Sequence, residues 1–255
     1  MTTPPATQKN VVIAPLTPEE VPLYQAVRHA AFKGTVNRVL YTREPSAATL
    51  ERIHNGQRED LKKPTLFYYL AKDAETGEVL AGSKWELFGV KEEKDADGKV
   101  VKTVVAERTW EEVEKGLEIS EPYEETDARV WNTLFKMLYD GRREIMGTKP
   151  YLSMYLGCRL SKGKDVSWTT VLYTLVAHPS AQRRGAGSAL LKWGCAKADA
   201  LGIETYLEAS PMGVPLYERF GFKKVKAIAF DWRDYGQEGE LPLTVSVNAC
   251  RYGKG

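Results

Sequence analysis

The chain has 255 residues, of which 43% are hydrophobic and 27% charged, and its formal net charge is +2. This composition is typical of a globular protein with one sizeable core, and no apolar run approaches the roughly 18 residues of a membrane span. The small net charge does not indicate a nucleic-acid-binding protein, and three scattered cysteines without metal-ligand spacing to the three histidines predict no metal site. We therefore expect a protein of the reducing cytoplasm, without nucleic-acid or membrane partners.

The N-terminal part is predicted to combine short strands with amphipathic helices. Residues 1–10 are expected to form a disordered tail, and VVIAPL a strand. Helix-start signals follow, because Thr17 precedes two glutamates and Ser46 follows a proline. We therefore predict helices in residues 17–32 and 46–61.

The middle of the chain is predicted to contain a hairpin, a charged excursion and a helix. Two alternating segments, 65–73 and 79–90, flank a turn that contains Gly77. Residues 91–127 are charged and interrupted by DADGK, so we expect an exposed excursion with poor strand or helix preference. Apolar residues at helical spacing return in 127–146.

The C-terminal half alternates strands with helices. Strand patterns occur in PYLSMYLGCRL and VSWTTVLYTLVA, and a helix follows Gly187 and stops at Gly202. A strand, a short helix and two further strands are then predicted in ETYLEAS, GVPLYERF, VKAIAFDW and LTVSVNACR. This pattern favours one mixed α/β domain over residues 11–255.

The loop QRRGAG lies between a predicted strand and a predicted helix, where unpaired N–H groups favour an anion. A Walker loop requires Lys-Ser/Thr after its last glycine, but Gly187 is followed by Ser188 and Ala189. A dinucleotide fingerprint requires a third glycine where the chain has Leu190. Both of these phosphate-binding motifs are therefore excluded.

The pattern Gln/Arg-x-x-Gly-x-Gly/Ala in residues 182–187, after a strand that ends in Pro179, resembles the acetyl-CoA-binding motif of the GNAT superfamily of N-acetyltransferases. LEASPMGVPLYERFGF is similar to the strand, short helix and LYxxxGF that follow in that family. Upstream, TPEEVPLYQAVRHAAF and AKDAETGEVLAGSKW are similar to the first helix and to the second and third strands of uncharacterised fungal GNAT proteins. The specific part of the resemblance is residues 172–223, which would form the acetyl-CoA-binding core.

The resemblance implies the GNAT acyl-CoA N-acyltransferase fold, a mixed α/β structure. Its twisted, mostly antiparallel sheet contains a splayed parallel strand pair and is flanked by helices. Backbone groups of residues 175–177 would pair with the pantetheine arm, and N–H groups of residues 183–188 would receive the pyrophosphate. The side chains of both arginines are further phosphate candidates. The implied acetyl-CoA-binding residues are Leu175, Val176, Ala177, Gln182, Arg183, Arg184, Gly185, Ala186, Gly187, Ser188 and Ser210.

The resemblance also implies the catalytic groups. Tyr217 corresponds to the tyrosine that protonates the departing thiolate, and an N–H near Val176 or Ala177 would stabilise the oxyanion. Glu208 and Glu86 are candidates for the general base, although each is alternatively a surface carboxylate or half of a structural ion pair, and a water chain can replace either. We interpret Cys195, which lies among apolar residues of a helix, as a core residue rather than a nucleophile.

Two functions of different classes follow. The first is an acetyl-CoA-dependent N-acetyltransferase, a monomer or homodimer, that acts on a primary amine of a small molecule or a protein by direct attack in a ternary complex. The alternative is a catalytically silent acyl-CoA-binding or sensing protein with the same fold.

One segment departs from the fungal pattern. In those proteins the part similar to KPYLSMYL runs almost directly into LVAHP, whereas here residues 157–174, GCRLSKGKDVSWTTVLYT, intervene. The segment is either a genuine hairpin beside the acetyl-CoA strand or an aberrant insertion, and the sequence leaves both open.

Overall fold

A mixed sheet runs through the computed structural model, which describes residues 11–97, 100–154, 175–236, 238 and 240–248. The strands are β1 (Val11–Pro15), β2 (Leu66–Asp73), β3 (Val79–Phe88), β4 (Val90–Lys94), β5 (Val100–Val105), β6 (Tyr151–Met154), β7 (Leu175–Ala177), β8 (Glu204–Ala209), β9 (Lys223–Asp231) and β10 (Glu240–Asn248). The helices are α1 (Val21–Phe32), α2 (Val36–Leu40), α3 (Ala47–Asp60), α4 (Trp110–Gly116), α5 (Ala128–Met146), α6 (Ala186–Leu201) and α7 (Val214–Arg219). Among the helices in these ranges, none is both long and apolar enough to cross a membrane.

The main sheet has the order β1-β2-β3-β6-β8-β10-β9, with β7 paired to β3 beside β6. Of the pairings found in the described chain, β6 with β8 is parallel, and the others are antiparallel. This mixed sheet with one parallel pair and flanking helices confirms the predicted fold class.

Each face of the sheet carries its own apolar cluster, because successive strand side chains point to opposite sides. Helices α1, α3 and α5 pack on one face, where Leu70 and Tyr206 are fully buried. Helices α6 and α7 pack on the other face, where Trp85 and Leu207 are fully buried. These are called the α5 face and the α6 face below.

Helix α6 approaches the sheet closely because Gly194 has no side chain. A Cβ placed at Gly194 would lie 2.2 Å from Cη2 of Trp85, whose indole N–H donates to Oγ of Ser83 at 3.1 Å. Cys195, the next residue of α6, is fully buried in the same cluster. Its interpretation as a core residue is confirmed.

Local signals located most of the elements, although they did not predict α2, and the helix predicted from residue 17 begins at Val21 after a short 3-10 turn. The Ser46 hydroxyl accepts from the N–H of Thr49 at 3.2 Å, which confirms the predicted start of α3. Residues 91–127, however, are not an irregular excursion, because they contain the β4–β5 hairpin and α4. The overlooked signal is a capping box, in which Thr109 N–H donates to Glu112 at 2.7 Å and Glu112 N–H to the Thr109 hydroxyl at 3.2 Å.

Strands β6 and β7 pair with β3 as two pieces of one line. On β6, Ser153 lies opposite Glu86 of β3, and on β7, Val176 lies opposite Gly82. When both registers are extended, Lys84 is the one β3 position left between them. A continuous strand would need one residue opposite Lys84, whereas the chain has twenty residues, 155–174, between β6 and β7. The chain therefore has nineteen residues more than a continuous strand would need. The segment 157–174, whose nature the sequence left open, lies outside the described residues.

Deleting residues 155–173 is expected to join β6 and β7 into one strand, with Thr174 opposite Lys84. Because a shorter connection between β6 and β7 lowers the entropy cost of bringing the two strands together, by roughly 2–3 kcal/mol for about twenty residues, the free energy of unfolding should rise by about that amount. Thermal unfolding followed by circular dichroism measures the change as a midpoint several degrees higher. Deletion of 155–174 is the control, since it leaves the strand one residue short and should lower the midpoint. Equal destabilisation by both deletions would show that the two pieces are not one strand.

Candidate functional site

A cleft opens where two neighbouring strands of the sheet diverge. Strand β8 pairs with β6 along Glu204–Leu207, whereas β7 pairs with β3 and, within the described ranges, not with β8. The gap between β7 and β8 is a cavity of about 400 Å³. Its walls come from the α1–α2 junction, β7, the loop before α6, the end of β8 and α7.

Strand β7 presents an open backbone edge to this cleft. The N–H of His178 donates to the carbonyl of Leu80 at 2.9 Å, so this pair is a hydrogen-bonded pair of the antiparallel ladder. Because such pairs alternate, the N–H of Val176 is directed at β3, and those of Leu175 and Ala177 are directed into the cleft. An extended ligand can pair with this edge as an added strand does. Of the two expected oxyanion donors, Ala177 therefore has the suitable direction.

The loop before α6 has a backbone shape suited to an anion. Arg183 and Gly185 both adopt left-handed conformations, with φ of 61° and 87°. Gly185 is the N-cap of the sixteen-residue helix α6, whose first-turn N–H groups lack intrahelical acceptors. A left-handed residue next to helical ones turns successive N–H groups towards one point, which is how backbone nests bind anions. The predicted phosphate-binding loop thus has a matching local geometry.

The two loop arginines have different surroundings. Arg183 lines the cleft. The guanidinium of Arg184 instead donates from Nη1 to Glu78 at 3.0 Å and from Nη2 to Asp73, and these bonds raise the pKa of Arg184. The side chain of Arg184 is therefore held at the β2–β3 turn, contrary to the expectation that it faces the phosphates.

Tyr217 lies in α7 and its ring lines the cleft with only 7% of the residue exposed. A Cβ placed at Gly213 would lie 2.8 Å from Cε2 of Tyr217, so the glycine allows the ring to pack on the turn before α7. Burial raises the pKa of Tyr217, so its phenol is protonated at neutral pH. Ser210, also in the cleft wall, precedes this turn and its carbonyl accepts from the N–H of Gly213 at 2.9 Å.

Glu208 lines the cleft from the end of β8, and its side chain has no exposed surface. Its Oε1 accepts hydrogen bonds from Nη2 of Arg142 at 3.1 Å and from the hydroxyl of Tyr206 at 3.0 Å. Burial and then the neighbouring carboxylate raise the pKa of Tyr206 well above its ordinary value, so Tyr206 is a neutral donor. The carboxylate of Glu208 is consequently held in one orientation at the cleft wall.

Arg142 and Tyr206 were not among the residues predicted from the sequence. The available signal was weak, since Arg142 lies four residues after Leu138 within an apolar stripe of α5, where a charged residue is unusual. The partner of that charge is 66 residues further along the chain.

Glu86, the second candidate base, is not brought to the cleft. It is fully buried on the α5 face of β3, opposite Leu66 on one side and Ser153 on the other. It is absent from the cleft walls as described. The structure therefore places Glu208, and not Glu86, at the wall of the cleft. In the described parts of the chain, no three His, Cys, Asp or Glu side chains are grouped as a metal site requires.

Residues 103–222 match the model of a family described as "Acetyltransferase (GNAT) family". A protein named "Probable acyltransferase SID5" from Ajellomyces capsulatus is 30% identical over 80 residues, which are 29% of this chain and 59% of that relative's length. The match thus spans less than two thirds of the curated relative.

Two solved structures share the fold. One, described as histone acetyltransferase HPA2 and related acetyltransferase from Corynebacterium glutamicum, has a TM-score of 0.54 at 20% identity and covers 96% of this chain and 99% of its own. The other is a polyamine N-acetyltransferase from Drosophila melanogaster, described as forming N-acetylagmatine. It has a TM-score of 0.55 at 12% identity, and the match covers 94% of this chain and 99% of that protein. At these identities the likeness concerns the fold alone.

Proposed function

We propose, from the match of residues 103–222 to the GNAT acetyltransferase family model and from the shared fold, that this chain transfers the acetyl group of acetyl-CoA to a primary amine of a small molecule or a protein. The observation that carries the proposal is the cleft between β7 and β8, where an open strand edge, the left-handed loop at the start of α6 and a buried tyrosine meet. The family match supports acyl transfer from an acyl-CoA, and acetyl as the acyl group is our proposal.

Acetyl-CoA would lie along the inner edge of β7. The amide groups of its pantetheine arm would pair with the backbone of Leu175 and Ala177, whose N–H groups are directed into the cleft. Its pyrophosphate would bind the N–H groups that begin α6, where the helix dipole favours negative charge. Arg183 adds a side-chain cation on the same wall, and Ser210 a hydroxyl near the pantetheine.

The amine would attack the thioester carbonyl directly in a ternary complex. Its nitrogen forms the new C–N bond while its proton passes to the carboxylate of Glu208. The carbonyl oxygen becomes an oxyanion, which the N–H of Ala177 stabilises. The C–S bond then breaks, and Tyr217 gives its phenolic proton to the departing sulfur. Support for these roles comes from the position of all three groups on the cleft walls.

Release of free CoA from acetyl-CoA, measured over a panel of polyamines, aminoglycosides, arylalkylamines, amino acids and histone peptides, tests the proposal. Tyr217→Phe is expected to lower kcat by about 100-fold or more, because general acid catalysis contributes roughly 10²–10⁴-fold. The affinity for acetyl-CoA, measured by calorimetry, should be unchanged. Binding of acetyl-CoA without turnover on any of these amines would favour the silent acyl-CoA-binding protein instead.

Gly187→Asp is expected to weaken acetyl-CoA binding by about tenfold or more. A carboxylate at this position lies among the first N–H groups of α6 and opposes the pyrophosphate, and a charge at a helix terminus is worth up to about 2 kcal/mol. Isothermal titration calorimetry measures the affinity. Gly187→Ala is the control, because it adds the same Cβ, 3.3 Å from Leu216 and 3.4 Å from Leu175, without the charge. Equal affinities for the Asp and Ala variants would contradict the placement of the pyrophosphate.

A further inference from the structure

We propose that the acceptor is a primary monoamine with an apolar body, whose nitrogen lies at Glu208 and whose body lies against Phe32 and Val36. This inference rests on the proposed function, because it specifies the substrate class of the same cleft. Three observations support it, namely the face of the sheet on which each wall of the cleft lies, the charged residues of the walls and the apolar residues that surround them.

The cleft passes through the sheet, and each face supplies a different wall. Glu208 lies on the α5 face, since it bonds to Arg142 of α5 and follows Tyr206 by two residues in β8. Phe32 and Val36, at the α1–α2 junction, belong to the apolar cluster of this same face. The loop before α6, where the pyrophosphate would bind, packs on the opposite face. In this arrangement the acceptor would contact the walls on the α5 face and the donor those on the α6 face.

Charge on the walls is unevenly distributed. Among the lining residues that the structure describes, Arg183 and Arg219 are the cations and Glu208 is the one carboxylate. Glu208 and Arg142 form a fully buried pair, so together they carry no net charge. The pair offers an acceptor for the N–H of one amine, and it leaves no surplus negative charge for a second ammonium.

Apart from Thr35, the remaining described surface on this side is apolar. Ala31, Phe32 and Val36 line the cleft from the α1–α2 junction, and Met154 lines it from the end of β6. A second ammonium or a carboxylate on the acceptor would lose its hydration against these side chains and gain no hydrogen bond from them, which costs several kcal/mol. Apolar surroundings also favour the neutral form of an amine, which is the form that attacks.

Three acceptors with the same six-carbon chain test the inference, namely hexylamine, 1,6-diaminohexane and 6-aminohexanoate. Their kcat/KM values are measured through CoA release at saturating acetyl-CoA. Hexylamine is expected to exceed the other two by at least about tenfold, the equivalent of about 1.4 kcal/mol. Comparable or faster turnover of the diamine or of the amino acid would overturn the inference, as would acetyl-CoA binding without turnover of hexylamine. Absence of acetyl-CoA binding in calorimetry would remove the proposed function as well.

A change at Thr35 provides a second, independent test. Thr35 lines the cleft between Phe32 and Val36, and its hydroxyl donates to the carbonyl of Phe32 at 3.4 Å. Thr35→Asp supplies the missing second carboxylate, so the ratio of kcat/KM for the diamine to that for hexylamine should rise about tenfold. Thr35→Asn, of the same size without the charge, should leave that ratio near its original value. An equal ratio in the Asp and Asn variants would show that the distal end of the acceptor does not lie at this wall.

Discussion

Replacement of Glu208 by glutamine is expected to lower kcat/KM for the amine by about 10²–10⁴-fold, the usual contribution of a general base. Glutamine retains the size of the side chain and its hydrogen bond from Arg142, but it cannot take a proton from the attacking amine. Steady-state rates of CoA release over a range of amine concentrations measure the effect.

Glu86→Gln is the matched comparison for this experiment. Glu86 is as deeply buried as Glu208 but lies opposite Ser153 on β3, away from the cleft walls. This variant should retain a kcat/KM within a few-fold of the original value. A large loss of kcat/KM in Glu86→Gln together with little loss in Glu208→Gln would reverse the assignment of the base.

Arg142→Met is expected to lower the free energy of unfolding by about 3–5 kcal/mol, because it leaves the buried carboxylate of Glu208 without its cation. The guanidinium also stacks near two aromatic rings, 5.0 Å from the centroid of Tyr139 and 5.7 Å from that of Tyr206. Urea unfolding, with the midpoint and slope fitted together, measures the change. Combining Arg142→Met with Glu208→Gln should recover a large part of the loss, since no unpaired charge then remains.

Arg143→Met is the control for Arg142. The neighbouring arginine is half exposed and donates to Glu114 at 2.5 Å on the surface. Exposed ion pairs contribute at most about 1 kcal/mol, so this variant should unfold close to the parent protein. Equal costs at positions 142 and 143 would contradict a structural ion pair at the cleft.

Prediction from sequence succeeded where neighbouring residues determine the conformation. The cap at Ser46, the hairpin turn at Gly77 and the helix end at Gly202 each depend on a short-range hydrogen bond or a left-handed glycine. The same is true of the loop that begins α6, with Gly185 as its N-cap. The β4–β5 hairpin was missed because its charged residues mask a weak alternation.

The connection between β6 and β7 shows the limit of local evidence. The sequence of residues 157–174 leaves open whether they form a genuine hairpin or are an aberrant insertion. The register of β6 and β7 on β3, in which one position separates Met154 from Leu175, shows how many residues are in excess. That count comes from pairing between distant strands.

By itself the sequence determined the mixed α/β fold, the glycine-containing loop that begins α6 and the presence of a tyrosine on the following short helix, because each of these features depends on contiguous residues. Only the tertiary structure decided which charged side chains belong to the cleft. It brought Glu208 to the wall with Arg142, kept Glu86 away from it and paired Arg184 with Glu78. The physical reason is that these ion pairs join residues 66 and 106 positions apart in the chain. Their proximity depends on the order of the strands and on helix packing rather than on the conformational preferences of neighbouring residues.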